Sequence, residues 1–241
     1  MSEHVVILGA GFAGLELTTR LADALADEVR VTLIDQNEAF FFGYSKLDVL
    51  FGRKATADVL LDYSQLSKEG VEFRRERVIS IDPASRVVVT DHKSYDADVL
   101  VVALGADYDY AATPGFAEGG FEYYSLAGAE RLRDALPQFE SGTIVIGILG
   151  HPYKCPPAPF EGALLLHDYL VRRGIREAAE IRVIGPMAAP VPVTKELSQS
   201  FLDALGKRGI EYVPNQHIAG LDPQSKRCGS RTGQPSPTTC S

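Results

Sequence analysis

The chain has 241 residues, 45% of them hydrophobic and 23% charged, which is the composition of an ordinary globular protein. The net charge of −8 argues against a nucleic-acid partner, because no Lys- or Arg-rich stripe is present to neutralise phosphates. The sequence has neither a signal peptide nor an apolar run of the roughly 18–20 residues that a membrane span needs. These features predict a cytoplasmic protein.

The first forty residues predict a strand, a tight turn, an amphipathic helix and a second strand. The strand His4–Leu8 enters the glycine-rich turn Gly9–Gly14, after which apolar residues recur at helical spacing. A second strand, Val29–Ile34, ends in Asp35, about twenty residues beyond the last glycine of the turn. This order is typical of a dinucleotide-binding βαβ unit.

The three glycines of the motif and Asp35 each have a distinct predicted role. Gly9 permits the tight turn, Gly11 lets the backbone approach a pyrophosphate, and Gly14 allows close packing of the helix on the strand. The N–H groups at the helix start favour an anion. Asp35 would accept hydrogen bonds from a ribose and repel a 2′-phosphate. The predicted nucleotide contacts in this unit are Gly9, Ala10, Gly11, Phe12, Ala13, Gly14, Asp35 and Gln36.

An aromatic stretch, residues 40–44, follows the βαβ unit and could line a ring-shaped ligand. Lys46, just after it, and Val78 are further predicted cofactor contacts. Short alternating runs from Val71 to Thr90 predict antiparallel strands, and Val99–Leu104 predicts a buried strand.

A cluster of turn residues from Thr113 to Gly120 marks the predicted domain boundary, because a fresh α/β alternation begins after it. The predicted division is a nucleotide-binding domain over residues 1–112, a second α/β domain over 113–226 and an irregular tail over 227–241. The tail has no aliphatic residue from Cys228 onward, which is typical of a disordered terminus or of a shifted reading frame. The sequence thus predicts an α/β fold with two Rossmann-like modules and a small antiparallel β meander.

The second module does not repeat the glycine fingerprint. Its first strand, Thr143–Ile148, leads instead into a turn that contains several prolines, where phosphate-binding N–H groups would be needed. NADH binding in this module is therefore disfavoured.

Cys155 lies in that turn, just before a predicted helix N-terminus and beside Lys154, and both neighbours favour the thiolate. An inert loop cysteine is the alternative interpretation. His151 and Glu161 are candidate proton carriers, although a surface histidine and a first-turn glutamate also have ordinary explanations. The three cysteines have no metal-ligand spacing, so no metal site is predicted.

Two segments carry a family resemblance. Residues 95–106, YDADVLVVALGA, resemble a strand end that contacts the flavin nucleotide in flavoproteins with two dinucleotide-binding domains. The motif Lys-Cys-Pro-x-Ala-Pro-x-Glu at residues 154–161 resembles the sulfide:quinone reductase and flavocytochrome c sulfide dehydrogenase branch of the FAD-dependent pyridine nucleotide-disulfide oxidoreductase superfamily. The first resemblance implies flavin contacts at Ala103, Leu104, Gly105 and Ala106.

The resemblance implies an enzyme that moves electrons from sulfide or a related sulfur substrate through Cys155 and FAD to a quinone-type acceptor. It implies non-covalent FAD, because the aromatic loop lacks the cysteine by which some relatives attach flavin. In that branch the partner cysteine and the membrane-associating helices lie in a C-terminal half that this chain ends before, so a peripheral contact with the inner membrane is expected of a full-length relative. The alternatives are a truncated nucleotide-binding fragment without turnover and an NADH-dependent flavin dehydrogenase.

Overall fold

The computed structural model describes residues 2–225 and 227–230, and the chain forms two compact units. The first unit comprises the residues up to Ser45 together with Ala55–Tyr108. The second comprises Lys46–Lys54 and the described residues from Asp109 onward. The division therefore falls a few residues before the predicted boundary at 112/113. It also assigns a short segment from the predicted first domain to the second unit.

The first unit is built on a parallel sheet. In chain order its elements are β1 (Glu3–Leu8), α1 (Phe12–Leu25), β2 (Val29–Asp35), β3 (Ala39–Phe41), β4 (Leu60–Asp62), β5 (Val71–Arg75), β6 (Val78–Asp82), β7 (Val87–Thr90), β8 (Ser94–Asp96) and β9 (Val99–Val102). The strand order of the sheet is β5-β2-β1-β9, so β1 has a parallel neighbour on each side.

Strand β1 is buried on both of its faces, which explains why it is a continuous apolar run rather than an alternating one. Val5 and Ile7 lie in the cluster that is packed against leucines of α1. Val6 and Leu8 lie in a second cluster, which includes Val88 of the antiparallel sheet β6-β7-β8. The carboxyl end of β1, where the glycine-rich turn begins, is therefore fixed from both sides.

The prediction of antiparallel strands from Val71 to Thr90 is confirmed for β6 and β7 but is wrong for β5. Strand β5 pairs in parallel with β2, in the register Val31 with Val71 through Asp35 with Arg75. A short apolar alternation identifies a strand but not its partner. The partner is decided by the buried face of β5, where Val71 and Phe73 pack into the cluster beneath α1.

The second unit also has a parallel sheet, in the order β10-β11-β12. Its core contains Phe160, Leu166 and Leu170 of one helix together with Ile181 and Val183 of the central strand. In chain order its elements are α2 (Lys46–Leu50), α3 (Phe116–Gly119), α4 (Leu126–Ala135), β10 (Gly142–Gly147), α5 (Ala158–Arg172), β11 (Ala179–Ile184), α6 (Lys195–Gly206), β12 (Ile210–Val213), β13 (Ile218–Asp222) and β14 (Arg227–Ser230).

Helix α2 belongs to the second unit because its apolar side chains complete that unit's core. Leu47, Leu50 and the following Phe51 are buried in the same cluster as Phe160. The Phe51 ring also lies 5.9 Å from the ring of Tyr169 in α5. Burial of these side chains positions Lys46, at the first residue of α2.

The irregular tail predicted from residue 227 differs from the structure over its first residues. Arg227–Ser230 form β14, which pairs antiparallel with β13, and the Cys228 side chain is buried beside Ile184 and Ile218. The rest of the predicted tail, including Cys240, lies outside the described residues. No helix in the described part of the chain is both long and apolar enough to cross a membrane.

Candidate dinucleotide loop and cysteine loop

The turn Gly9–Gly14, called the glycine loop below, contains two glycines that close packing requires. A Cβ on Gly9 would lie 2.4 Å from the carbonyl oxygen of Ala103, and Gly9 has a φ of +96°. A Cβ on Gly14 would lie 1.8 Å from the carbonyl oxygen of Gly9. Neither position has room for a side chain, since the segment after β9 lies against Gly9 and the start of α1 lies against the end of β1.

Gly11 is different, because a Cβ there would have no atom of the described residues within 4 Å. Its carbonyl accepts the first helical hydrogen bond of α1, from the Leu15 N–H at 3.0 Å. The N–H groups that follow it in the first turn have no acceptor within the helix. The N-terminus of α1, on the open side of the glycine loop, can therefore bind an anion.

Asp35 ends β2 beside the glycine loop, and backbone and side-chain donors hold its carboxylate in place. Oδ2 accepts from the Ala10 N–H at 2.7 Å. Oδ1 accepts from the N–H of Asn37 at 2.9 Å and from its side-chain amide at 2.8 Å. A carboxylate has about four acceptor positions, so a ribose hydroxyl could still be accommodated.

The segment Ala103–Ala106 follows β9 at the same edge of the sheet. The Ala103 N–H donates to the carbonyl of Leu8 at 2.8 Å, which places this segment next to the start of the glycine loop. Leu104 is 53% exposed, and Gly105 has a φ of +72° with open space around its Cβ position. In open α/β sheets, ligands bind at this carboxyl edge.

The other predicted contacts in the first unit have varied surroundings. Phe12, Ala13 and Gln36 are exposed, and the Phe12 ring packs edge-on against Phe40 at a centroid distance of 5.1 Å. Val78 begins β6 and packs against the cluster that contains Val88. Their roles in nucleotide binding remain predictions.

In the second unit, residues 150–157 form the cysteine loop, between β10 and α5. Cys155 is a half-buried free thiol with a φ of +54°, and its carbonyl accepts from the Ala158 N–H at 2.9 Å. The hydroxyls of Tyr124, Tyr153 and Tyr123 donate to the carbonyls of Lys154, Pro156 and Ala158, at 2.9, 3.2 and 3.2 Å respectively. Prolines in the loop provide no N–H donors, so these tyrosine hydroxyls fix its conformation instead.

Lys46 packs on Tyr124, one of the three tyrosines that hold the cysteine loop. Its Nζ is 4.3 Å from the centre of the Tyr124 ring and donates to the Tyr124 carbonyl at 3.4 Å. Burial lowers the pKa of Lys46, and the charge of Cys155 is the largest influence that partly opposes this effect. The second unit therefore holds an ammonium group within electrostatic reach of the thiol, while the predicted contact of Lys46 with FAD remains a prediction.

Glu161 and His151 are both exposed at this loop. Glu161 lies in the first turn of α5. Burial raises the pKa of Tyr123, and the charge of Glu161 adds to that effect. The proton-carrying roles of Glu161 and His151 remain predictions. No sequence motif points to the other residues that hold the two loops, which are Asn37, Tyr63, Tyr123, Tyr124 and Tyr153.

Known proteins are similar to the chain over a range that includes both loops. Residues 3–235 match the pyridine nucleotide-disulphide oxidoreductase family. Sulfide-quinone reductase of Aquifex aeolicus (strain VF5) is 27% identical over 238 residues, which cover 92% of this chain and 53% of that protein. A type II NADH:quinone oxidoreductase of Staphylococcus saprophyticus is 32% identical over 232 residues, which cover 90% of this chain and 55% of that protein. The chain thus spans about half the length of these curated relatives.

Solved structures give the same picture of the fold. The sulfide:quinone oxidoreductase of Aquifex aeolicus has a TM-score of 0.88 at 24% identity and is matched over 98% of this chain and 56% of its own. NDH2 of Plasmodium falciparum has a TM-score of 0.75 at 14% identity, over 92% of this chain and 50% of its own. These likenesses confirm the predicted fold class.

Proposed function

The chain belongs to the pyridine nucleotide-disulphide oxidoreductase family, whose members are FAD-binding flavoproteins, and on this premise we propose a sulfur-oxidising activity. In this proposal the whole protein is a flavin-dependent oxidoreductase. It takes electrons from sulfide or a related sulfur substrate through Cys155 and non-covalent FAD, and it delivers them to a quinone-type acceptor. We further propose that it works in the cytoplasm, peripheral to the inner membrane where such acceptors are dissolved.

The glycine loop fits FAD. Gly11 leaves open space in front of the first turn of α1, where a pyrophosphate would meet helix N–H groups. The Asp35 carboxylate is oriented by Ala10 and Asn37 at the position from which it would accept a ribose hydroxyl. When bound, FAD supplies a two-electron acceptor that can pass electrons onward singly or in pairs.

The proposal depends chiefly on the surroundings of Cys155. Cys155 is a half-buried free thiol in a loop that tyrosine hydroxyls hold, and the Lys46 ammonium is within electrostatic reach of it. In this proposal the thiolate form of Cys155 is the nucleophile that takes up sulfur. Cys155 thiolate and HS⁻ would form a cysteine persulfide anion, with release of one proton and two electrons. The two electrons would reduce a quinone to the quinol, which takes up the released proton and a second proton from solvent. Glu161 and His151 are the proposed carriers of the released proton.

NADH as the donor is the competing proposal, because type II NADH:quinone oxidoreductases are also similar to the chain. The start of α5 argues against it. The Ala158 N–H already donates to Cys155, the Phe160 N–H donates to Pro157, and Pro159 between them has no N–H. The Glu161 N–H also donates to the Pro157 carbonyl, so among the described residues the backbone donors of the first turn of α5 are occupied, in contrast to those of α1.

A visible spectrum of the purified 241-residue chain tests these alternatives. Flavin bands that anaerobic sulfide bleaches and NADH does not would support the proposal. Bleaching by NADH alone would favour the dehydrogenase. A folded, colourless protein that takes up no added FAD would favour a fragment without turnover, which is the second alternative for a chain of about half the relatives' length.

A further inference from the structure

Ala10, the residue between the first two glycines of the loop, is held by side chains from two other elements. Its N–H donates to Asp35 Oδ2 at 2.7 Å. Its carbonyl oxygen accepts from the hydroxyl of Tyr63 at 2.6 Å. Ala10 is completely buried, so water cannot replace either partner. Both peptide groups of this residue are therefore fixed in orientation.

The second of these hydrogen bonds determines where the next N–H points. The carbonyl of Ala10 and the N–H of Gly11 belong to one planar trans peptide, in which the two bonds point in opposite directions. Because Tyr63 draws the carbonyl into the protein, the Gly11 N–H is directed outward. The Gly11 position borders open space, since a Cβ there would have no atom of the described residues within 4 Å.

Tyr63 is itself rigid. Its side chain is 5% exposed, and its ring lies 4.6 Å from that of Phe73. Its backbone N–H donates to the carbonyl of Glu38 at 3.0 Å. Asp62, just before it, accepts from the Ser64 N–H at 2.7 Å and so caps the short turn that carries Tyr63. The hydroxyl consequently has little freedom to leave the Ala10 carbonyl.

Burial, together with the nearby charge of Asp35, raises the pKa of Tyr63. The phenol therefore stays protonated across the neutral range and remains a hydrogen-bond donor. The Ala10 carbonyl has a donor throughout that range.

We propose that Tyr63 is a positioning residue of the cofactor site, which aims the Gly11 N–H at the pyrophosphate of FAD by holding the Ala10 carbonyl. This inference rests on the proposed FAD-binding role of the glycine loop. Tyr63 does not contact the cofactor in this scheme. It reduces the reorganisation that the loop would otherwise undergo on binding.

The test compares Tyr63→Phe with Tyr95→Phe. Tyr95 is a matched control, because it is also 5% exposed in the first unit and its hydroxyl also donates a buried hydrogen bond, to Glu76 at 2.8 Å. Both changes remove one hydroxyl and keep the ring. The measurements are the apo melting temperature and the dissociation constant for FAD, from quenching of flavin fluorescence. A third variant, Tyr63→4-aminophenylalanine, restores a donor at the same position.

We expect both Phe variants to lower the melting temperature similarly, and only Tyr63→Phe to weaken FAD binding, by about fivefold for one lost hydrogen bond. The amino variant should recover most of the affinity. Unchanged affinity in Tyr63→Phe, or a variant that unfolds without FAD, would show that the hydroxyl is merely structural and overturn the inference. If wild type and Tyr95→Phe also fail to bind FAD, the cofactor assignment fails and the inference fails with it.

Discussion

Alanine substitutions at two positions of the glycine loop should have different effects, one on stability and the other on FAD affinity. In Gly14→Ala the new methyl group would lie 1.8 Å from the Gly9 carbonyl oxygen, where real contacts are no shorter than 3.0 Å. The backbone must therefore shift by about 1 Å or more. Overpacking of this kind costs about 1–3 kcal/mol. For a protein of this length that is a fall in melting temperature of about 2–12 °C.

Gly11→Ala should leave the fold intact, because its methyl group would enter open space. The stability change is expected to stay within about 1 kcal/mol. The methyl group would, however, occupy the space through which a pyrophosphate approaches the backbone, so FAD affinity should fall by at least about tenfold. Gly206→Ala is the control, since it also adds a methyl group in open space, at the end of α6.

Calorimetry of the apo chains and fluorescence titration with FAD separate these effects. The expected pattern is a large stability loss in Gly14→Ala, an affinity loss without a stability loss in Gly11→Ala, and neither loss in Gly206→Ala. Wild-type stability in Gly14→Ala would contradict the packing role of this glycine. Wild-type affinity in Gly11→Ala would refute the assignment of the open side of the loop to the phosphates.

Further predictions concern the second unit. Cys155→Ser should retain FAD but lose flavin bleaching by sulfide, and bleaching at the wild-type rate would exclude Cys155 as the nucleophile. Lys46→Met should slow alkylation of Cys155 by iodoacetamide, because the Lys46 ammonium packs on Tyr124 at the cysteine loop and interacts electrostatically with Cys155. An equal effect of the exposed control Lys54→Met would contradict this. Phe160→Ala should lower the free energy of unfolding by about 3–5 kcal/mol, because it leaves a cavity beneath α5. Phe121→Ala, which removes a half-exposed ring, should cost far less. Equal losses of stability in thermal denaturation would argue against the described core.

The two parallel sheets show how one topology can serve different chemistry. In both units a strand leads through a turn into a helix, at the carboxyl edge where ligands bind. The glycine loop keeps the backbone donors of α1 available. At the cysteine loop, the backbone N–H groups at the start of α5 donate to carbonyls of loop residues or are replaced by prolines. This loop presents a thiol instead. The difference lies in which donors remain unoccupied, rather than in the fold.

Much of the first unit could be predicted from the sequence, because its signals are local. Glycine spacing, helical periodicity and the acid after β2 lie within a few residues of the structure they specify, so β1, α1 and β2 follow directly. The partner of β5 could not be predicted, since an alternating strand carries no information about its neighbour. The sequence did not predict helix α2, because only the packed core shows that Leu47 and Phe51 are buried in the second unit.

By itself, the sequence therefore determined the family, the fold class and the two loops in which chemistry is expected. The tertiary structure decided which distant side chains fix those loops: Tyr63 on the Ala10 carbonyl, and Tyr124 and Lys46 beside Cys155. These contacts join residues that are between 30 and 78 positions apart. No local pattern encodes such pairs, because packing of the two cores, and not chain proximity, brings their hydrogen-bonding groups within reach.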